Sequence, residues 1–248
     1  MVRAGIVAAL HAEARSLGCG SRRTAPATAT DGCLIRVSGI GRDNARTAAQ
    51  TLIDAGAAAL VSWGYCGGLD PHLACGTLVL PDMVIAADGT IFYTDPVWRA
   101  HLRRLLAGRV AISGGSLAES TEPVADVRRK RALFERCGAV AVDMESAAVA
   151  AMATRAGLPF VAIRAVVDVA RRGLPRRVLR AVDSSGNVRP ARMAAALAAS
   201  PHEWPGVFRT ARDARTARRT LSRVRMATGA RLAFDDAAAR HRALAEAT

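Results

Sequence analysis

Three carboxylates interrupt an otherwise apolar stretch, AVDMESAAVAAMATRAGLPFVAIRAVVDVA, which runs from Ala141 to Ala170. A carboxyl group can deliver a proton or accept hydrogen bonds from hydroxyl groups. Asp143 and Glu145 precede a predicted helix, where acids cap free N–H groups and suit the helix dipole. Asp168 directly follows an apolar strand, and open α/β sheets bind ligands beyond the carboxyl ends of such strands. These residues alone favour capping for the first two acids, and for Asp168 either ligand binding or the cap of a following helix.

Two glycine-rich stretches also follow predicted strands. They are SGIGRDN, from Ser38 to Asn44, and WGYCGGLD, from Trp63 to Asp70. Glycine there permits a positive φ and lets the backbone approach a ligand closely. Neither stretch has the spacing of a dinucleotide-binding or P-loop motif, so each by itself predicts only a turn.

Strand-like and helical patterns alternate along most of the chain, as in CLIRVSGI followed by DNARTAAQTLIDAG. This alternation predicts an α/β fold with a central twisted mixed sheet flanked by helices in three layers. After residue 173 the sequence becomes rich in arginine and is punctuated by prolines. We therefore predict one catalytic domain over residues 1–205 and an Arg-rich helical extension over residues 206–248.

The composition limits the partners. The chain has 248 residues and a net charge of +14, carried almost wholly by arginine because Lys130 is its only lysine. This charge reflects either a codon preference or an anionic partner such as phosphate or an acidic lipid surface. Only 4% of the residues are aromatic, so the stacking side chains that nucleic-acid binding needs are scarce, and no nucleic-acid partner is expected.

Cysteine and histidine usage indicates neither a disulfide framework nor a metal site. The five cysteines are an odd number without CxxC spacing, and the five histidines are scattered. We expect reduced thiols in a cytoplasmic protein, no metal and no cofactor. Charge or glycine breaks every apolar run well before the ~18 residues that a membrane span needs, and no secretory segment is predicted.

The motifs GIVAALHAEARSL, SGIGRDNA, VSWGYCGGLDPHLACGTLVLPD, AVDMESAAVA and PFVAIRAVVDVA occur in this order between residues 1 and 173. In order and spacing they resemble the nucleoside phosphorylase and nucleosidase superfamily, which includes the methylthioadenosine/S-adenosylhomocysteine nucleosidases. The resemblance implies a homo-oligomer that cleaves the N-glycosidic bond of a purine nucleoside.

The resemblance also implies roles for particular residues. Met144 contacts the ribose, and Glu145 accepts hydrogen bonds from its 2′- and 3′-hydroxyls. Asp168 is the general acid that protonates N7 of the leaving adenine, which requires a raised pKa. Glu13 orients the attacking water on the opposite face of the sugar. The other residues expected to bind substrate are Gly67, Gly68 and Leu117.

The acceptor of the ribosyl group remains open at this point. Glu13 favours water, whereas Gly41 and Arg42, beside the motif SGIG, would suit phosphate. The sequence departs from the nucleosidase pattern at Val167, where a serine is usual, and at Leu117, where a base-stacking aromatic is expected. A nucleoside- or lipid-binding protein that has lost catalysis is therefore an alternative of another class.

The C-terminal part, from Gly173 through the Arg-rich stretch, resembles the hopanoid-associated phosphorylases, also called adenosylhopane nucleosidases. This resemblance implies removal of adenine from a lipid-linked nucleoside, with a methylthioadenosine/S-adenosylhomocysteine-type nucleosidase as the alternative. A lipid-linked substrate predicts peripheral contact with the inner face of the membrane. In FRTARDARTARRTLSRVRMATGARLAF, arginines recur at helical spacing on one side, which predicts either a lipid-facing surface or a solvated face above a packed apolar one.

Overall fold

The computed structural model describes residues 3–18, 28–30, 32–173 and 204–235. The strands in this part of the chain are β1 (Ala4–Ala8), β2 (Thr28–Thr30), β3 (Cys33–Val37), β4 (Ala59–Gly68), β5 (Leu78–Val79), β6 (Met83–Ile85), β7 (Ile91–Tyr93), β8 (Ile112–Ser113), β9 (Ser116–Glu119), β10 (Ala141–Asp143) and β11 (Phe160–Asp168). The helices are α1 (His11–Ala14), α2 (Arg42–Asp54), α3 (Pro96–Leu106), α4 (Val127–Cys137), α5 (Ser146–Arg155) and α6 (Trp204–Thr228).

Strand β4 is the centre of a single mixed sheet. Its first half pairs in parallel with β1 on one side and with β11 on the other. Its end turns to an antiparallel pairing with β10, which continues the sheet through β9, β6 and β7. Helices cover both faces, so the predicted α/β fold with a central mixed sheet is confirmed. The carboxyl ends of the parallel strands β4 and β11 lie side by side, and β10 runs antiparallel along the end of β4. Open α/β sheets bind ligands beyond such carboxyl ends.

The stretch WGYCGG, expected to be a turn, is the second half of β4. The strand continues through Gly68, and Gly67 and Gly68 pair with Val142 and Ala141 of β10. The first half of β4 consists mostly of buried apolar residues such as Leu60, and the strand continues from them into the glycines. The prediction of a loop was therefore wrong, because pairing with a second strand outweighs the low intrinsic preference of glycine for a sheet.

Helix α2 illustrates how the local pattern builds the core. Its buried residues, Ala45, Ala48, Ala49 and Leu52, recur at three- and four-residue spacing, so they form one apolar stripe against the sheet. Helix α5 lies beside it, and most of its residues are buried, which suits its run of alanine and valine. Together these helices close one face of the sheet.

Helix α6 covers part of the opposite face. Ala217, Leu221 and Val224 are fully buried in the same apolar cluster as Trp63 and Trp98. The domain boundary predicted between residues 205 and 206 falls inside this helix. Among the helices of the described residues, none is long and apolar enough to cross a membrane.

Candidate active site

Asp168 is the last residue of β11, and an irregularity in the strand sets its direction. The pairing with β4 shifts between Val166 and Asp168, so Val167 is an extra residue and Asp168 lies opposite Gly67. A Cβ atom on Gly67 would be 3.0 Å from Asp168 Oδ1. Glycine at position 67 therefore makes room for this carboxylate, and Gly68, whose Cβ would be 3.4 Å from the Asp168 carbonyl oxygen, lies along the same path.

Asp168 is 7% exposed, and its carboxylate forms an ion pair with the fully buried Lys130 of α4. Burial raises the pKa of Asp168 above its ordinary value, and the Lys130 ammonium opposes this effect. No helix begins in the described residues 169–173, so the alternative role of Asp168 as a helix cap does not hold. The raised pKa has the direction that a general acid requires.

Asp143 and Glu145 have different roles at the start of α5. Asp143 Oδ1 accepts hydrogen bonds from the backbone N–H groups of Glu145 and Ser146, at 3.4 and 3.2 Å, so Asp143 is the cap. None of the described N–H groups of α5 donates to the Glu145 side chain. Glu145 Oε1 instead accepts from the backbone N–H of Gly41, at 2.9 Å, which lies at the start of α2. Capping was therefore the wrong interpretation for Glu145.

Arg164 joins these acids at the centre of the site. This arginine lies in the middle of β11 and is 1% exposed. Its Nε is 2.8 Å from Asp143 Oδ2, and one terminal nitrogen is 3.9 Å from Glu145 Oε2. Burial raises the pKa of Glu145 to about 7, although the Arg164 guanidinium opposes the shift. Met144 lies between the two acids and is half-buried, which leaves part of its side chain accessible.

Glu13 reaches the same region from α1. Its Oε1 accepts from the backbone N–H of Tyr65 and its Oε2 from that of Leu10, both at 2.8 Å. A Cβ atom on Gly64 would be 2.3 Å from Glu13 Oε1, so only glycine allows this approach. Glu13 is 2% exposed, and burial raises its pKa while Arg164 opposes the shift. The first helix thus presents a fixed, buried carboxylate and not a solvated one.

Arg42 has a partner that the sequence did not indicate. Its guanidinium lies 3.6 Å from Glu119 Oε2, at the end of β9. Glu119 is 4% exposed, and its Oε2 also accepts from the backbone N–H of Ala87 at 3.1 Å. Among the described residues, Arg42 Nε and Glu119 Oε1 are buried atoms without a hydrogen-bond partner. At the predicted phosphate site, the Arg42 guanidinium therefore already faces the Glu119 carboxylate, and the Gly41 N–H already donates to Glu145.

The structure does not place Leu117 where a base could stack on it. Its side chain is fully buried in β9, in one apolar cluster with Val84 and Ala141. The predicted contact between Leu117 and the base thus has no open surface in this structure. Cys66 is buried among the charged groups of the site, and burial raises the pKa of its thiol well above the ordinary value.

Three charged residues of the site were missed by reasoning from the sequence. Arg164 had a signal, because a single arginine in the apolar strand FVAIRAVV must have buried partners. Lys130 had a weaker signal, as the only lysine within a run of arginines. Glu119 had none, since its burial depends on the pairing of β9 with β6 and β10.

The arrangement can bind a polyhydroxylated, developing cation and protonate a group that leaves from it. Glu13, Asp143 and Glu145 place carboxylates around one arginine, so negative charge exceeds positive charge when all are ionised. Asp168, which burial biases toward its protonated form, lies at the neighbouring strand end. Among the residues that the structure describes, no group of three or more His, Cys, Asp or Glu residues is arranged to hold a metal ion.

Comparison with protein families identifies the class. The model of the Phosphorylase superfamily matches residues 27–199. This match covers more than half of the 248 residues, and the chain therefore belongs to the Phosphorylase superfamily. The predicted enzyme class, a nucleosidase or nucleoside phosphorylase, is confirmed.

Individual relatives are nucleosidases and hydrolases. A 5′-methylthioadenosine/S-adenosylhomocysteine nucleosidase of Marinomonas sp. (strain MWYL1) is 29% identical over 162 residues, which cover 56% of this chain and 69% of the relative. A mutant of the Helicobacter pylori 5′-methylthioadenosine nucleosidase, solved with 5′-methylthioadenosine in its active site, superposes with a TM-score of 0.65 at 17% identity, covering 90% of this chain and 98% of that one. The native futalosine hydrolase of Helicobacter pylori superposes with a TM-score of 0.63 at 19% identity, covering 90% and 97%. These two structures show a shared fold.

Proposed function

We propose that this protein hydrolyses the N-glycosidic bond of a purine nucleoside, and that its substrate is adenosylhopane, from which it removes adenine. The observation that supports the reaction type is that three acids lie around the second half of β4: Glu13 accepts from the Tyr65 N–H, Glu145 lies 3.9 Å from the buried Arg164, and Asp168 lies opposite Gly67. These are the residues to which the family resemblance assigns roles on the water, the ribose and the base.

Asp168 acts on the leaving base. As the glycosidic bond lengthens, electrons move to the purine ring, and protonation of N7 makes adenine a neutral leaving group. Burial favours the protonated carboxyl of Asp168, which is the form that can donate. The bulge at Val167 directs this carboxyl over Gly67, where an added Cβ atom would be 3.0 Å from Oδ1 and would press on the carboxyl.

The carboxylates act on the sugar. Loss of the base leaves positive charge on the ribosyl group, and fixed negative groups in a poorly solvated site stabilise such a charge strongly. Glu145, whose Oε1 accepts from the Gly41 N–H, can accept from the ribose hydroxyls with its remaining lone pairs. Met144 packs against the ribose beside it.

Two observations favour water over phosphate as the acceptor. Glu13 is held by two backbone N–H groups, so its carboxylate has a fixed orientation for a water molecule. Arg42 faces the buried Glu119, which compensates its charge and repels a phosphate dianion. A site rich in carboxylates, in which Glu119 balances the charge of Arg42, suits attack by water better than attack by phosphate.

The proposal of adenosylhopane rests on the resemblance of the C-terminal part to the hopanoid-associated phosphorylases. Residues 174–203 of that part lie outside the described residues, and α6 belongs to its remainder. The 29% identical relative keeps a methylthioadenosine/S-adenosylhomocysteine-type nucleosidase as the second candidate.

Two variants test the acceptor. Glu13→Gln keeps an oxygen for the Tyr65 N–H but removes the charge, so adenine release should fall with or without phosphate. Arg42→Ala should leave adenine release unchanged at every phosphate concentration. Adenine is measured by chromatography, with adenosylhopane and methylthioadenosine compared as substrates. If Glu13→Gln retains phosphate-dependent release that Arg42→Ala lacks, phosphate is the acceptor. If the wild type binds these nucleosides but releases no adenine, the protein is a binder.

A further inference from the structure

Lys130 occupies a position where lysine is rare. It is 0% exposed, on the inward side of α4 together with Leu133. Asp126 fixes the start of this helix by accepting from the N–H groups of Arg128 and Arg129, at 2.8 and 3.1 Å. A buried ammonium persists only if it is paired and hydrogen-bonded, so its contacts should explain its presence.

Its contacts all belong to the end of β11 and the turn beyond it. Lys130 Nζ donates to Asp168 Oδ2 and to the backbone carbonyl oxygens of Val169 and Arg172, both at 3.0 Å. A lysine ammonium has three N–H donors, and all three are used here. The Lys130 side chain therefore holds both the Asp168 carboxylate and the backbone of the following residues, up to Arg172.

Asp168 has other charged or titratable neighbours, but none replaces this contact. Arg172 follows it in the turn, and its guanidinium lies 3.2 Å from Asp213 of α6. Burial raises the pKa of Asp168, and the charge of Lys130 lowers it. A cavity of about 310 Å³ also adjoins Asp168. The remaining groups that face Asp168 or line this cavity are Cys66 of β4, Cys75 in the turn before β5, Arg171, and Arg209 of α6.

We propose that Lys130 is a positioning residue for the proposed reaction: it fixes the orientation of the Asp168 carboxyl and sets the highest pH at which Asp168 still carries the proton it delivers. The expected effect of Lys130 on the reaction rate rests on the proposed function. The expected effect of Lys130 on the protonation of Asp168 rests only on the contact between these two residues.

The substitution Lys130→Met should change the pH dependence of kcat/KM and the value of kcat in a specific way. Methionine has similar length and no charge, so Asp168 would hold its proton up to a higher pH. The alkaline limb of the kcat/KM profile should move up by about 1–3 pH units, the range over which a nearby opposite charge shifts a carboxyl group. At the optimum, kcat should fall by less than the ~10²–10⁴-fold that general acid catalysis contributes, because Asp168 is still an acid but is weaker and less well oriented. A purely structural lysine would lower activity without moving the limb.

Two controls accompany this experiment. Lys130→Arg keeps the charge and should keep the alkaline limb near that of the wild type. Arg131→Met removes one charge from the next residue of α4, where the side chain is exposed and paired with Glu135, and should change neither the limb nor kcat. A folded Lys130→Met variant with an unchanged alkaline limb would overturn the proposal.

An infrared titration separates this inference from the proposed function. The carbonyl band of the protonated Asp168 carboxyl is identified as the band that Asp168→Asn removes, and its midpoint is followed with pH. The midpoint should rise in Lys130→Met and stay in Arg131→Met. If the wild type releases no adenine, the proposed function fails while this shift still supports the control of Asp168 by Lys130. An unmoved midpoint contradicts that control whatever the activity.

Discussion

Replacing Glu145 by glutamine tests whether this buried acid binds the ribose hydroxyls. The amide oxygen of the introduced side chain can still accept from the Gly41 N–H, so the contact between α2 and α5 is kept. Arg164 retains Asp143 at 2.8 Å and is not left without a counter-charge. The variant therefore removes mainly a charged acceptor for the sugar.

The expected magnitude follows from that loss. A hydrogen bond to a charged group contributes about 1.5–3 kcal/mol, which corresponds to about 10- to 150-fold in kcat/KM. A 2′-deoxyriboside lacks one of the donors, so the penalty for it should be much smaller. Burial raises the pKa of Glu145 to about 7, so the ionised acceptor forms as the pH rises through that value. For ribosides, kcat/KM of the wild type should rise over that range, and Glu145→Gln should lack this acid limb.

The assay compares adenine release from an adenosine riboside and its 2′-deoxy counterpart across pH. Glu135→Gln is the matched control, because Glu135 is an exposed acid on α4 that pairs with Arg131. It should behave as the wild type. If Glu145→Gln slows both substrates equally, or keeps the acid limb, Glu145 does not bind the hydroxyls.

The remaining predictions concern the acid, the C-terminal helix and the membrane. Asp168→Asn should lower kcat by about 10²–10⁴-fold while calorimetry shows retained ligand binding, because the amide keeps the shape but has no acidic proton; near wild-type kcat would remove Asp168 from the mechanism. Leu221→Ala should lower the free energy of unfolding by about 2–5 kcal/mol in denaturant titrations, whereas Met226→Ala, 75% exposed on the same helix, should change it little; equal effects would mean that α6 does not stabilise the core. Salt-sensitive cosedimentation with anionic vesicles should weaken when five of the exposed arginines of α6 become glutamine, and binding that is absent at low salt or unchanged by the substitutions would contradict a lipid-facing role; these five are Arg209, Arg212, Arg215, Arg219 and Arg223.

Periodic apolar patterns made the fold predictable. The four-residue stripe of α2 and the continuous apolar run of β11 each point to one element with one buried side. The end of β4 was not predictable in this way, since Gly67 and Gly68 become strand only through their pairing with β10. Local propensity contains no information about such a partner.

Sequence motifs pointed to some of the candidate site residues but not to the charges that are paired across elements. The resemblance drew attention to Asp168, Glu145 and Glu13, and the structure places these acids around the second half of β4 and its partner β11. It did not indicate Lys130 or Glu119, because their partners lie far away in the sequence, on other elements. Contacts of this kind depend on which strands and helices become neighbours in the fold. The same reason applies to Arg42 of α2, whose partner Glu119 lies at the end of β9.

The most direct test of the central claim is the product formed from an adenosine derivative by the wild-type protein, followed by mass spectrometry with and without phosphate. The account predicts adenine and a free reducing sugar, released at the same rate in both conditions. A sugar 1-phosphate, or adenine release that requires phosphate, would contradict hydrolysis directed by Glu13. Binding without any adenine would contradict the proposed enzyme activity itself.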